Sequence, residues 1–500
     1  MPELGSLSVD RRSAVPLRRQ IYERLRDAIA RDVLRPGDRL PSARALANQL
    51  GVARGTVDGA YAALAAEGYL VARGAAGTTV ATGLRTALLH RPRAAASGNR
   101  RRSVEPRGLP RPFQLGLPAL DAFPRKLWTR LATRQARGLS LAAMDYPDPA
   151  GDPLLREEIL KYLAVGRGIE CEPDQLLITS GFQAALGLIS RALTQPGETV
   201  WVEDPGYFRA RQALAAAGLT IVPVPVDDQG LDVDAGVARA PQARLALVTP
   251  SHQMPLGVSL RLPRRLELLE WARGADAWIV EDDYDSEYRY TGLPLPALKS
   301  LDRDGRVLYV GTFSKVLFPG LRLAYLVVPE RLAPTFQQLC RDLHPDRPLW
   351  VEAVVAEFMR DGHFARHIRR MRALYARRRQ ALAEALREVF GGRFRLELQA
   401  GGMHLLARLD PEEDDMALVR AARARGLAPE ALSRTAVEQP LLRGLLLGFT
   451  NIPADRALEH VERLADAIGA AAATVDPAAP RRRISCSSAG ARSGRGARPR

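Results

Sequence analysis

From about residue 175 the chain alternates short apolar, β-prone runs with helix-periodic ones, and this alternation limits the fold more than any other feature. Residues 176–179 read as a strand and 182–193 as a helix; 199–203 and 207–217 repeat the pair. Further strand-like runs fall at 220–224, 245–249, 278–281 and 307–310. Parallel neighbours need a long crossover, usually a helix, so the pattern predicts an α/β body whose mostly parallel sheet is covered by helices. A smaller α/β segment is expected over about 345–475, with strands near 402–407 and 445–449.

The first 82 residues follow another pattern. Leu17, Ile21, Leu25, Ala28 and Ile29 recur at helical spacing over 17–33, and Pro36-Gly37 ends the run. Ser42 is placed to cap a second helix carrying Leu46 and Leu50, and Gly51 to stop it. A third helix is expected over about 55–67, with Val57, Ala60, Tyr61 and Leu64 on one face. Two short β runs, 69–71 and 78–80, flank a glycine-rich turn at 74–77. Helix, helix, short turn, helix and hairpin make a winged helix-turn-helix, a layout that reads double-stranded DNA with its second motif helix in the major groove. That helix begins Ala53-Arg54-Gly55-Thr56, and an arginine fork matches the O6 and N7 acceptors of guanine. Arg44 is in reach of phosphate or a base, and Arg73, beside Gly74, of the minor groove.

Charge separates the parts further. Of the net +16, residues 83–112 carry eight arginines against one glutamate, and residues 481–500 seven arginines and no acid. The head adds twelve arginines and eight acids, which leaves residues 113–480 at −2. The boundaries read from this are a head at 1–82, a basic flexible linker at 83–112, a body at 113–475 and a disordered basic tail at 476–500. No run of 18 apolar residues offers a membrane span, and the N-terminus lacks an apolar signal core. Cys171, Cys340 and Cys486 are widely spaced, which suits a reducing cytoplasm without disulfides and gives no metal pattern.

Three stretches of the body carry chemistry: 279–284, 311–315 and 319–322. Lys315 offers an amine for a Schiff base with an aldehyde cofactor. Asp282 ends a strand, where open α/β sheets form sites, and offers an anion for a pyridine nitrogen. Arg322 offers a cation for a phosphate. The set points to pyridoxal 5′-phosphate (PLP). Ser180, Gly181, Phe182 and Gln183 lie between a strand and a helix, so their N–H groups can face the phosphate beside the Thr312 and Ser314 hydroxyls. Tyr207 is placed to stack on the ring and Tyr284 to meet its O3′.

The head run Pro36-Gly-Asp-Arg-Leu-Pro-Ser-Ala-Arg44 through Leu50-Gly-Val-Ala-Arg-Gly-Thr-Val57 strongly resembles the GntR-type winged helix. Arg44, Arg54, Thr56 and the Arg73-Gly74 turn occupy positions that contact DNA in that family. One departure is Ala53, where a capping serine is frequent.

The body resembles fold-type I aminotransferases, and more narrowly the MocR subgroup of GntR regulators. The runs that carry this are Tyr146-Pro-Asp-Pro-Ala-Gly-Asp-Pro-Leu-Leu-Arg156, Glu203-Asp-Pro-Gly-Tyr207, Thr249-Pro-Ser-His-Gln-Met-Pro-Leu-Gly257, Glu281-Asp-Asp-Tyr-Asp-Ser-Glu287, Gly311-Thr-Phe-Ser-Lys315 and Arg366-His-Ile-Arg-Arg-Met-Arg372. The resemblance implies that Lys315 binds the PLP aldehyde, that Asp282 pairs with the ring nitrogen and that Tyr284 meets O3′. It also implies a phosphate held by Arg322, Thr312, Ser180 to Gln183 and Tyr146 of the partner subunit, in a homodimer. His252 matches the ring-proximal loop, and Arg209 a position that contacts a bound amino acid's carboxylate in some relatives.

One departure bears on catalysis. Aminotransferases carry an arginine in the last strand of the small domain to grip the substrate carboxylate, and Leu446 aligns with it. A leucine cannot make that bidentate ion pair. The expectation is therefore a regulator whose small-molecule effector is PLP or its amino-compound adduct, as in the PdxR-like branch that controls vitamin B6 synthesis. The alternative is an active aminotransferase with an appended DNA-binding head.

Overall fold

The structure, a computed structural model, describes residues 8–11, 13, 15–72, 77–84, 110–292, 295–343, 349–438 and 442–474. The chain divides into two units, Met1–Arg107 and Gly108–Arg500. Arg73 and Gly74, most of the linker and the tail lie outside the described residues.

In the first unit, helices α1 (Leu17–Ala30), α2 (Ala43–Leu50) and α3 (Arg54–Ala66) precede strands β1 (Leu70–Ala72) and β2 (Thr78–Val80), which pair antiparallel. The Ser42 hydroxyl accepts from Ala45 N at 3.2 Å, and Gly51 closes α2 in the left-handed region. Ala53 makes no side-chain cap at the start of α3. Helix α1 ends three residues before the expected position, because Asp32 takes φ +55° and the N–H groups of Val33 and Leu34 turn back to the Ala28 carbonyl. Ile21, Leu25, Leu46, Val57, Leu64 and Val80 close one small core.

In the second unit, an eight-stranded sheet has the order β3-β10-β9-β8-β7-β4-β5-β6. Its strands are β3 (Leu176–Thr179), β4 (Thr199–Asp204), β5 (Thr220–Asp227), β6 (Gly230–Leu231), β7 (Leu245–Val248), β8 (Trp278–Asp283), β9 (Val307–Thr312) and β10 (Ala324–Val327). Strands β5, β4, β7, β8 and β9 are parallel neighbours, as the alternation predicts. Strand β10, which the sequence pattern did not reveal, runs antiparallel between β9 and β3. Nearly every residue of β7, β8 and β9 is buried, as expected for strands covered on both faces.

A smaller antiparallel sheet has the order β11-β12-β14-β13, from β11 (Arg395–Glu397), β12 (His404–Arg408), β13 (Glu430–Ala431) and β14 (Gly444–Gly448). The segment that opens the body ties the two sheets together. Phe113 O accepts from Gly448 N at 3.0 Å, and Ala119 N donates to the Tyr375 hydroxyl at 2.9 Å. Between them Gly116 reaches the end of β9, where the candidate site lies.

Candidate functional site

Strand β8 sorts three consecutive buried acids by its two-residue period. Glu281 and Asp283 share one face. Glu281 accepts from Leu298 N and Lys299 N at 2.9 and 2.8 Å. Asp283 meets Arg167 at 2.7 Å and accepts from the Tyr309 hydroxyl at 2.5 Å. Asp282 faces the other way, into a cleft with Glu203, Tyr207 and Thr249. It is 7% exposed, and no protein donor among the described residues bonds its carboxylate. Burial pushes this carboxyl well above the usual carboxylate range; the neighbouring Asp283 charge adds to the shift, and Lys315 opposes it.

Lys315 follows β9 by three residues and is half-buried, with its Nζ donating to Gly116 O at 3.0 Å. Burial pulls its pKa below the ordinary lysine value, while Asp282 and Asp285 oppose the shift. A lysine with a lowered pKa is an activated nucleophile. Gly116 has φ +65°, and a Cβ there would collide with Lys315 Nζ. Gly116→Ala should therefore displace the amine and cost about 1–2 kcal/mol of stability through the left-handed backbone. Thermal melts and a PLP titration check this; a variant that melts and binds like the parent would contradict the close approach.

Arg322 brings its guanidinium to the start of the helix Phe182–Leu193. A Cβ on Gly181, the N-cap at φ +103°, would lie 3.5 Å from Arg322 Cζ. A helix start with free N–H groups beside a guanidinium is a suitable cradle for a phosphate. Thr312 and Ser314 lie alongside, with Ser314 N donating to Thr312 Oγ1 at 3.1 Å. Tyr207 packs against Phe182 with ring centroids 6.2 Å apart and feels the charges of Asp282, Arg209 and Arg322. The Tyr284 hydroxyl lies 3.0 Å from His252 Nδ1, which is also 3.1 Å from Asp285 Oδ2. The structure thus gathers Lys315, Asp282, Tyr207, Tyr284, His252, Arg322, Thr312, Ser314 and the turn from Ser180 to Gln183 around one end of the sheet. Tyr146 is 94% exposed.

The residues present fit PLP: a half-buried amine, a buried acid with no protein donor among the described residues for a pyridinium N–H, and a cation at a helix start for the phosphate. Sequence reading passed over several supports. Gly116 comes from the body's first segment. Glu203 accepts from Thr249 Oγ1 at 2.6 Å and Gln253 Nε2 at 3.1 Å, and burial pushes it up to about 7. His404 packs its ring 5.7 Å from His252 and lies with Nε2 3.0 Å from Pro255 O; burial lowers its pKa to about 4. Leu446, opposite Leu406 on β12, is buried among Val226, Leu256, Leu406 and Leu432. An apolar cluster of this kind has no cation for a carboxylate.

In the head, Arg44 on α2 and Arg54 at the first turn of α3 are exposed, and Thr56 is half-buried. Among the described residues Arg54 makes only a surface ion pair with Asp58 at 3.3 Å. Such pairs are weak, so the fork is available to another partner. Among the described residues no cluster of side chains suits a metal, and no helix is long and apolar enough to cross a membrane.

A winged helix-turn-helix in the first unit and an aminotransferase-like α/β fold in the second define the class of protein. Residues 17–80 match the family described as bacterial regulatory proteins, gntR family, and residues 124–468 match aminotransferase class I and II. The chain is 39% identical over 472 residues to the probable rhizopine catabolism regulatory protein MocR of Rhizobium meliloti, covering 92% of this chain and 95% of that one. It is 34% identical over 451 residues to the pyridoxine biosynthesis transcriptional regulator PdxR of Corynebacterium glutamicum, covering 90% and 95%. Among solved structures, Pyrococcus horikoshii kynurenine aminotransferase, crystallised with PMP, aligns at TM-score 0.65 and 30% identity over 72% of this chain and 90% of that one. The chain belongs to the MocR-type GntR transcriptional regulators.

Proposed function

We propose that this regulator binds PLP through Lys315, Asp282 and Arg322, and operator DNA through Arg44, Arg54 and Thr56, with PLP or its amino-compound adduct as effector. Arg73 and Gly74 complete the DNA-contacting set. The protein acts as a cytoplasmic homodimer in which Tyr146 of the partner subunit closes the phosphate site. The observation that carries the cofactor reading is the half-buried Lys315 amine near a buried Asp282 that no protein donor among the described residues satisfies. When bound, PLP supplies an electrophilic aldehyde and an electron-withdrawing ring. Lys315 supplies the amine, Asp282 holds a proton at the ring nitrogen, Tyr207 covers the ring face, and the Arg322 guanidinium with the Gly181 turn holds the phosphate. The named role of PdxR in pyridoxine biosynthesis favours genes of vitamin B6 synthesis as the target.

A second reading, an active aminotransferase with a DNA-binding head, is favoured by the joint presence of Lys315, Asp282 and Arg322. Leu446 weighs against it. The test is borohydride reduction of the PLP-treated protein followed by peptide mass analysis, together with a turnover assay on amino acids. A pyridoxyl group on Lys315 without steady turnover is the expected result. Sustained amino transfer that disappears in Lys315→Ala would favour the enzyme, and no label would sink the cofactor reading.

A further inference from the structure

We infer that Arg167 is a positioning residue for the cofactor: by neutralising Asp283 from behind the sheet, it leaves Asp282 free to stay ionised for the ring nitrogen. The inference rests on the PLP reading above and adds a residue that touches no part of the cofactor.

Arg167 ends the helix Pro153–Arg167, and Gly168 then turns left-handed, so the side chain is delivered at a helix C-terminus, where a cation is favoured. Its Nη1 donates to Leu295 O at 2.8 Å, and its Nη2 donates to Ser251 Oγ at 2.9 Å and meets Asp283 Oδ2 at 2.7 Å. Both charged side chains are almost fully buried. Asp283 Oδ1 has no partner among the described residues, and the Arg167 and Tyr309 contacts both fall on Oδ2.

Two acids one residue apart on a buried strand oppose each other's ionisation. Asp282 also feels Glu203 and Asp285, and Lys315 offsets them. Lys315 cannot both serve as a neutral amine and keep Asp282 charged. The compensating cation therefore has to act on the other acid, and Arg167 meets that acid directly. Arg265, Glu281 and Glu287 also belong to this buried charge group; Glu281 has its own amide donors, and Glu287 accepts from the Tyr162 hydroxyl at 2.7 Å.

The test is a PLP-binding titration across pH on the full chain, comparing the parent with Arg167→Met, Asp283→Asn and the double variant. The sign follows from Asp282. Its carboxylate holds the pyridinium, so affinity falls as pH drops through its folded pKa, and removing Arg167 moves that acid limb to higher pH. A shift of one pH unit is about tenfold in affinity on the limb. Arg167→Met should lose about tenfold near neutral pH. Arg167→Met with Asp283→Asn should regain all but about threefold, because no uncompensated charge then remains behind the sheet. Asp283→Asn alone should keep binding to lower pH than the parent, and this arm still decides the matter if Arg167→Met fails to fold. A double variant no better than Arg167→Met, or an acid limb that stays in place in Asp283→Asn, would overturn the inference. The parent titration is the separate control: no PLP binding there would sink the cofactor reading itself.

Discussion

Lys315→Ala is expected to abolish retention of PLP and to lower its affinity by at least about 100-fold, or about 2.7 kcal/mol. The side chain presents its amine toward Asp282, and the Gly116 carbonyl holds it in place at 3.0 Å. Burial lowers its pKa below the ordinary lysine value, so deprotonation before reaction costs less. A ligand that binds only the folded state at about 100 times its Kd stabilises that state by about 2.7 kcal/mol. PLP should therefore raise the melting temperature of the parent by several degrees and leave Lys315→Ala almost unmoved. The unliganded variant should melt close to the unliganded parent, because the lost group is a half-buried amine that donates to one carbonyl. Equal PLP-induced shifts in both proteins would show that the aldehyde is held elsewhere.

Arg54→Ala is expected to cost operator binding about 1–3 kcal/mol and to relax specificity at the base pair it reads. Arg54 opens α3 from an exposed position, and its ion pair with Asp58 is solvent-exposed on both sides. Arg44→Ala should weaken binding more evenly across sequences and lower the salt dependence by about one counterion if it meets phosphate. Ser42→Ala provides a structural contrast. It removes the α2 cap, at about 1 kcal/mol of head stability, without touching a reader. Titrations of labelled operator and scrambled duplexes at two salt concentrations separate these outcomes. Unchanged discrimination in Arg54→Ala would remove it from the base-reading set.

Local signals carried much of this arrangement. The two-residue and 3.6-residue periods marked most of the parallel strands and the three head helices, because each buries one regular face. The ends of β8 and β9 could be read as site-forming because apolar runs lead straight into Glu281-Asp282-Asp283 and into Gly311-Thr312. Strand β10 escaped: Ala324–Val327 is four apolar residues with no helix before it, and its antiparallel insertion breaks the alternation that betrayed its neighbours. Gly116 was invisible for a different reason. It meets Lys315 across 199 residues of chain, and a glycine in an irregular segment has no periodic signature. The Arg167–Asp283 and His252–His404 pairs are likewise products of the fold rather than of spacing. Leu446 was legible only as a departure; its neighbours Val226, Leu256 and Leu432 come from three separate stretches.

Coupling between pocket and head is the central claim, and it requires PLP to bind two conformations of the regulator unequally. The most direct test is the affinity for DNA upstream of its own gene, with and without PLP, in the parent and in Lys315→Ala, alongside transcription from that promoter. The expected result is a PLP-dependent change of about 5- to 150-fold in affinity, or a matching change in transcription, that vanishes in the variant. Identical footprints, affinities and transcript levels with and without PLP in the parent would contradict it.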